Sequence, residues 1–125
     1  MTVFTKTPDQ TFFDKHPYAQ TPEPPYYAVI FSNQNSGLDP DDYGVTATAM
    51  EELAATQDGY LGIESTRNSE GYAITVSYWR DLDAIKNWKQ NVDHTVARNK
   101  GRDTWYQSYY LRVAKVEKAY CFEQD

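Results

Sequence analysis

At 125 residues the chain has the size of one domain with room for a real hydrophobic core, and its 40% hydrophobic and 24% charged residues are the balance of a folded globular protein. A net charge of −6 excludes nucleic acid or an anionic membrane as the main partner, because either demands a basic face. Cys121 is the sole cysteine, so neither an intrachain disulfide nor a cysteine-based zinc site is available, which fits a reducing compartment.

Residues 1–25 are rich in proline, with "TPEPPYY" closing the segment, and read as an extended arm with little regular structure. Phe12, Phe13 and Tyr18 are costly to leave in water, so the arm is expected to rest on the domain or on a partner subunit. The opening residues lack the basic segment and apolar run of a secretory signal, and no stretch reaches membrane-spanning length; a cytoplasmic location is expected.

The domain proper, 26–125, begins with "YYAVIFSN", whose β-branched and aromatic residues predict a strand from Tyr26 to Ser32. Helix punctuation follows. Asp39 serves as N-cap, Pro40 takes the first helical position, and Gly59 falls after the end, with Tyr43, Ala47, Met50, Leu53 and Ala54 as the buried stripe. "YLGIESTR" and "YAITVSYWR" flank the turn "NSEG" as a hairpin, and Asp81 caps a second helix from Leu82 to about Lys100, stopped by Gly101. The last run, "WYQSYYLRVAKVEKAYCF", reads as a long strand in which a bulge near Ala114 restores the inward face.

Strand, helix, strand, strand, helix, strand is the α+β, ferredoxin-like split βαβ order. Ile74, Val76 and Tyr78 make one face of a central strand apolar, and Ala73, Thr75 and Trp79 the other. One layer of two helices covers a single face, so a second subunit is expected on the other. Tyr109 or Tyr110, with Tyr120 and Phe122, is expected in that contact.

Chemistry is sparse in the residue pattern. On an ideal second helix Leu82, Ile85, Val92 and Val96 form the apolar stripe, which sets Trp88 at its edge and His94 nearly opposite. Cys121 has no histidine near it in sequence, and the acids at 39, 41 and 42 lack the glycine and terminal glutamate of a calcium loop, so capping explains them and no metal site is expected.

The succession "YYAVIFSN", "MEELAATQDGYLGIES", "GYAITVSYW", "IKNWKQNVDHTVARNKGRDTWY" and "YYLRVAKVEKAYCF" resembles the antibiotic biosynthesis monooxygenase superfamily, in particular its haem-degrading monooxygenase A-like branch. The resemblance runs over about residues 26–122 and is carried by Trp79, Trp88, His94, Ala97, Gly101-Arg102 and Trp105-Tyr106 in fixed order. It implies a dimeric α+β barrel and a pocket between each sheet and its own helices for a planar small-molecule ligand. It also implies O2-using chemistry without intrinsic metal or flavin, with haem as substrate and cofactor in the haem-degrading members. In those members an asparagine of the first strand, a tryptophan of the second helix and a histidine ten residues further on form the site. Here Asn33 and Trp88 take the first two places; the tenth position onward is Arg98, and His94 comes earlier. The competing reading is a non-catalytic ligand-binding or stress-associated dimer that keeps the barrel.

Overall fold

The β-branched and aromatic runs pair into a four-stranded sheet. The computed structural model describes residues 5–37, 48, 50–99 and 106–124, the side chains of 94–99 excepted. Its elements in chain order are α1 (Gln10–Lys15), β1 (Tyr26–Asn35), α2 (helical at 48 and through 50–55), β2 (Tyr60–Arg67), β3 (Tyr72–Trp79), α3 (Leu82–Asn99) and β4 (Tyr106–Val116). The sheet order is β2-β3-β1-β4 and every pairing is antiparallel, which is the ferredoxin-like arrangement the element order predicts. The expected cap at Asp39, with Pro40, Tyr43, Ala47 and the stop at Gly101, lies outside the described residues.

Local signals explain the ends. The Asp81 carboxylate accepts from the Ala84 N–H at 2.8 Å and so caps α3. In the β2–β3 turn, the Asn68 side chain accepts from the N–H groups of Glu70 and Tyr72, both at 3.0 Å, and Gly71 supplies a φ of +85°. Gly59 is closely packed. Its φ is +88°, and a Cβ there would lie 2.6 Å from the Cβ of Ala84, which packs α3 against the end of α2. Gly59→Ala should therefore lower stability by roughly 2–4 kcal/mol, joining left-handed backbone strain to an overpacked contact. Urea unfolding checks this; a change within experimental error would mean that α3 shifts freely.

Register fixes which face is which. Tyr27, Val29, Phe31 and Asn33 stand opposite Trp79, Ser77, Thr75 and Ala73. Val29, Ala54, Trp79, Ala84 and Ile85 form the buried cluster, with Tyr27, Tyr60, Trp88 and Leu111 packed on it, so this is the helix-covered face. Leu82, placed by the sequence reading in the apolar stripe of α3, is instead 54% exposed, because Ala84 and Ile85 face the sheet in its place. The stripe that packs is Ala84, Ile85, Trp88 and Val92, and at about 100° per residue Trp88 falls within roughly 20° of its middle, not at its edge.

The opposite face carries Ile30, Ser32, Ile74, Val76 and Tyr110, with Ile74 and Tyr110 exposed. The arm covers one corner of it. The Ala19 N–H donates to a Glu64 oxygen at 3.1 Å, the other Glu64 oxygen accepts from the Tyr78 hydroxyl at 2.6 Å, and Ala19 packs where a side chain on Gly62 would otherwise stand. Burial and then the Glu64 carboxylate push the Tyr78 phenol well above its ordinary value.

The arm is not merely extended. Asp9 accepts from the Phe12 N–H at 2.9 Å and caps the short helix α1, whose Phe12 is buried and stacks on Tyr18. Its other end is tied to the chain's tail: Lys6 and Cys121 exchange two backbone hydrogen bonds, and Glu123 accepts from His16 at 2.9 Å and from Lys6 at 3.2 Å. These two donors, His16 foremost, hold the Glu123 carboxyl below its usual 4.5. A depressed carboxyl contributes stability that is complete above the unfolded-state value and is lost as pH falls through the lower folded value. The arm–tail junction should accordingly loosen only below about pH 4.5, seen as movement of the Lys6 and Cys121 amide resonances while those of β1 stay fixed. Glu123→Gln should abolish that transition.

Candidate functional site

The helix-covered face is organised in rows that cross all four strands. At the α3 end of the sheet the row is Tyr60, Trp79, Tyr27 and Lys115. Trp79 is 0% exposed, and its Nε1 donates to Ser77 Oγ at 2.9 Å. Tyr60 meets it edge-on at 5.6 Å, and Trp88 of α3 lies over it at 5.1 Å with planes 33° apart. The second indole differs in one respect: the Nε1 of Trp88 is buried and has no hydrogen-bond partner among the described residues. A buried donor in that condition carries its desolvation cost uncompensated.

Six residues along β1 from Tyr27, roughly 20 Å at the strand rise, the far row is Arg67, Ala73, Asn33 and Tyr109. Asn33 is 2% exposed, one of two buried polar residues of the described chain, the other being Ser77. A small residue, Ala73, flanks it on one side and a ring on the other. Between the two ends lies the row Ser65, Thr75, Phe31 and Leu111.

The rings at the far end are brought together by a bulge. Register between β1 and β4 runs without interruption past Ala114 and shifts instead between Gln34 and Asn35, where Ser108 and then Tyr106 are the partners. The expected bulge near Ala114 is absent: Val113 pairs with Val29 and Val116 with Tyr26 in unbroken register, so the two valines stand on opposite faces of the sheet, and Cys121 belongs to the separate bridge with Lys6. The bulge lies at Gln107 and puts Tyr106 and Tyr109, three apart, on one face: Phe31 meets Tyr106 at 5.6 Å and Tyr109 at 5.4 Å, and the two tyrosines meet at 5.7 Å. Tyr109 is thus a wall of the sheet–helix layer, and Tyr110 is the residue that faces the open side. Burial raises the pKa of the Tyr106 phenol, and the positive charge of Arg67 opposes that rise.

Of the residues singled out from sequence, Asn33 and Trp88 share this layer. His94 falls on α3, six residues beyond Trp88, with its side chain outside the described residues. The sequence does not assign Phe31, Tyr106 or Arg67 to the site; strand parity places Phe31 with Asn33, but Tyr106 requires the bulge and Arg67 the cross-strand register. A separate open cleft of about 750 Å³ lies between the arm and the tail, lined by Phe13, Leu61, Tyr120 and prolines 8, 22 and 24. It holds neither a buried polar side chain nor the unpartnered indole, so the sheet–helix layer is the stronger site. Among the described residues no group of three metal-ligating side chains converges, and no helix is long and apolar enough to cross a membrane.

Residues 41–100 match the antibiotic biosynthesis monooxygenase family. The uncharacterized protein YqjZ of Bacillus subtilis is 51% identical over 107 residues, covering 86% of this chain and 93% of that one. The jasmonate monooxygenase ABM of Pyricularia oryzae is 32% identical over 94 residues, covering 72% of this chain and 43% of that enzyme, so the chain spans less than half of it. SnoaB, a cofactor-independent oxygenase from Streptomyces nogalater, shares the fold with a TM-score of 0.61 at 12% identity, covering 77% of this chain and 97% of that one. These likenesses reach a family and a fold; they do not single out the haem-degrading branch within it.

Proposed function

The chain belongs to the antibiotic biosynthesis monooxygenase family, and from that premise we propose that it is an O2-using monooxygenase acting on a planar, ring-bearing organic molecule between its sheet and helices. The observation that carries this reading is the buried Trp88 N–H without a partner among the described residues, in a layer walled by rings. A flat ligand with an oxygen acceptor gains stacking area there and supplies the missing hydrogen bond.

The chemistry needs no electrons from the protein if the substrate is itself electron-rich. When a ring CH2 becomes a carbonyl, one atom of O2 stays on the carbon and the other leaves as water, with both electron pairs drawn from the substrate. The chain's part is to hold the ring, stabilise the anion formed as the CH2 loses a proton, and keep water out. Asn33, itself buried, offers amide N–H donors to that developing oxyanion, where low dielectric strengthens each hydrogen bond. His94, on the same helix as Trp88, is assigned as the polar partner that takes the proton.

An oxygen electrode with a tricyclic anthrone tests the proposal: stoichiometric O2 uptake and appearance of the quinone support it. Binding without O2 uptake would assign the non-catalytic ligand-binding reading. Haem with a reductant is the second arm; a Soret shift followed by bleaching would make haem the substrate.

The exposed sheet face supports a homodimer. Ile74 and Tyr110 are apolar area that a second copy would remove from water, and a stable interface of this kind buries roughly 2,000 Å² in total. Ile74→Glu should convert a dimer to a monomer in light scattering at micromolar concentration, and a natural protein that is already monomeric would reject the dimer.

A further inference from the structure

From the row that crosses the sheet at its far end we infer that the pocket takes carboxylate-bearing substrates, with Arg67 as the residue that recognises the anion. The inference rests on the pocket reading above and names the chemical class that the pocket prefers.

Three observations place a cation where an anionic group would end. First, register aligns Arg67, Ala73, Asn33 and Tyr109 in one cross-strand row, so Arg67, exposed on the edge strand, and the buried Asn33 share one end of the sheet with the small Ala73 between them. Second, Arg67 is held to that end. Its Nη1 donates to the Gly71 carbonyl at 2.9 Å, and the same carbonyl accepts the Asn35 N–H at 3.1 Å. Asn35 is the cross-strand partner of Tyr106, and the bulge beside it turns the Tyr106 ring toward Phe31. Gly71 permits this convergence because a side chain there would collide with Asn35, whose Oδ1 lies 2.6 Å from where its Cβ would stand. Third, the positive charge of Arg67 opposes the rise that burial causes in the pKa of the Tyr106 phenol, in keeping with its place at this end of the sheet.

A planar guanidinium beside an amide and a phenol is a donor set matched to a planar carboxylate, whose two oxygens accept parallel N–H bonds. In a chain of net charge −6, a cation retained in this row also supplies the local field that admits an anion the rest of the surface would repel. The apolar part of such a ligand would extend over Phe31, Thr75 and Leu111 toward Trp88.

Isothermal titration calorimetry with 2-naphthoate and its neutral isostere 2-naphthamide tests the inference, with protoporphyrin IX and its dimethyl ester as the larger pair. The natural protein should bind the acid of at least one pair tenfold or more tighter than its neutral form, and that pair fixes the size of molecule taken. Arg67→Met should reduce the ratio to about one while leaving affinity for the neutral form unchanged. Arg67→Gln, which keeps a donor for the Gly71 carbonyl, should do the same, so the result does not hang on one variant's folding. Equal affinity for acid and neutral forms, or a preference that survives both substitutions, overturns the inference and leaves the pocket reading in place. Failure of all four compounds to bind folded protein overturns both.

Discussion

Trp79→Ala should lower the free energy of unfolding by about 3–5 kcal/mol, the largest stability effect expected of any single substitution in this chain. The side chain is fully buried, sits in the middle of Val29, Ala54, Ala84 and Ile85, and touches two further rings. Its removal would therefore open a cavity bounded by both helices and the sheet, and its Nε1 would no longer donate to Ser77, leaving a buried hydroxyl to find another partner. Domains of this size have about 5–15 kcal/mol in total, so the variant should stay folded at low temperature but melt far earlier. Far-UV circular dichroism in urea is the suitable measurement, since fluorescence would be altered by loss of the indole itself. A loss below about 1 kcal/mol would show that the cluster refills the space.

The same residue shows why parts of the fold were legible. Trp79 ends a run of β-branched and aromatic residues two positions before a capping aspartate, and strand and cap both follow from local pattern. The hairpin at Asn68–Gly71 and the start of α3 are of the same kind. The arm's helix is not legible in composition because prolines on both sides, Pro8 and Pro17, mask a short segment capped by the Asp9-to-Phe12 bond. Periodicity understates the place of Trp88 in the core because the first turn of α3, at the edge of the sheet, turns Leu82 to solvent.

The candidate site divides along the same line. Asn33 and Trp88 are reachable from sequence through the family resemblance, each matched by its place on one element. Arg67 and Tyr106 were not, because what brings them to the pocket is the pairing of strands far apart in sequence and a one-residue bulge at Gln107. Periodicity within an element cannot reveal register between elements.

Asn33→Ala should have the largest effect on activity. If the Asn33 amide stabilises the anion formed during oxygenation, its loss should lower kcat by roughly 10²–10³-fold, as for removal of an oxyanion donor, with KM little changed because the interaction is made mainly in the transition state. A structural role predicts a different outcome. Asn33 is buried in a sheet between Ala73 and Tyr109, and a merely structural asparagine replaced by alanine should lower the melting temperature and leave kcat of the folded fraction near its natural value. Asn33→Asp sharpens the contrast, since the aspartate keeps the shape, loses the donors and adds a negative charge at the position where the anion would develop. It should be at least as inactive as the alanine variant if the proposed role is right. Trp88→Phe, which retains a ring but not the unpartnered N–H, should weaken ligand binding more than folding, and His94→Ala should fold normally while losing turnover. Full activity in Asn33→Ala would remove the residue from the chemistry, whatever the fate of the other two.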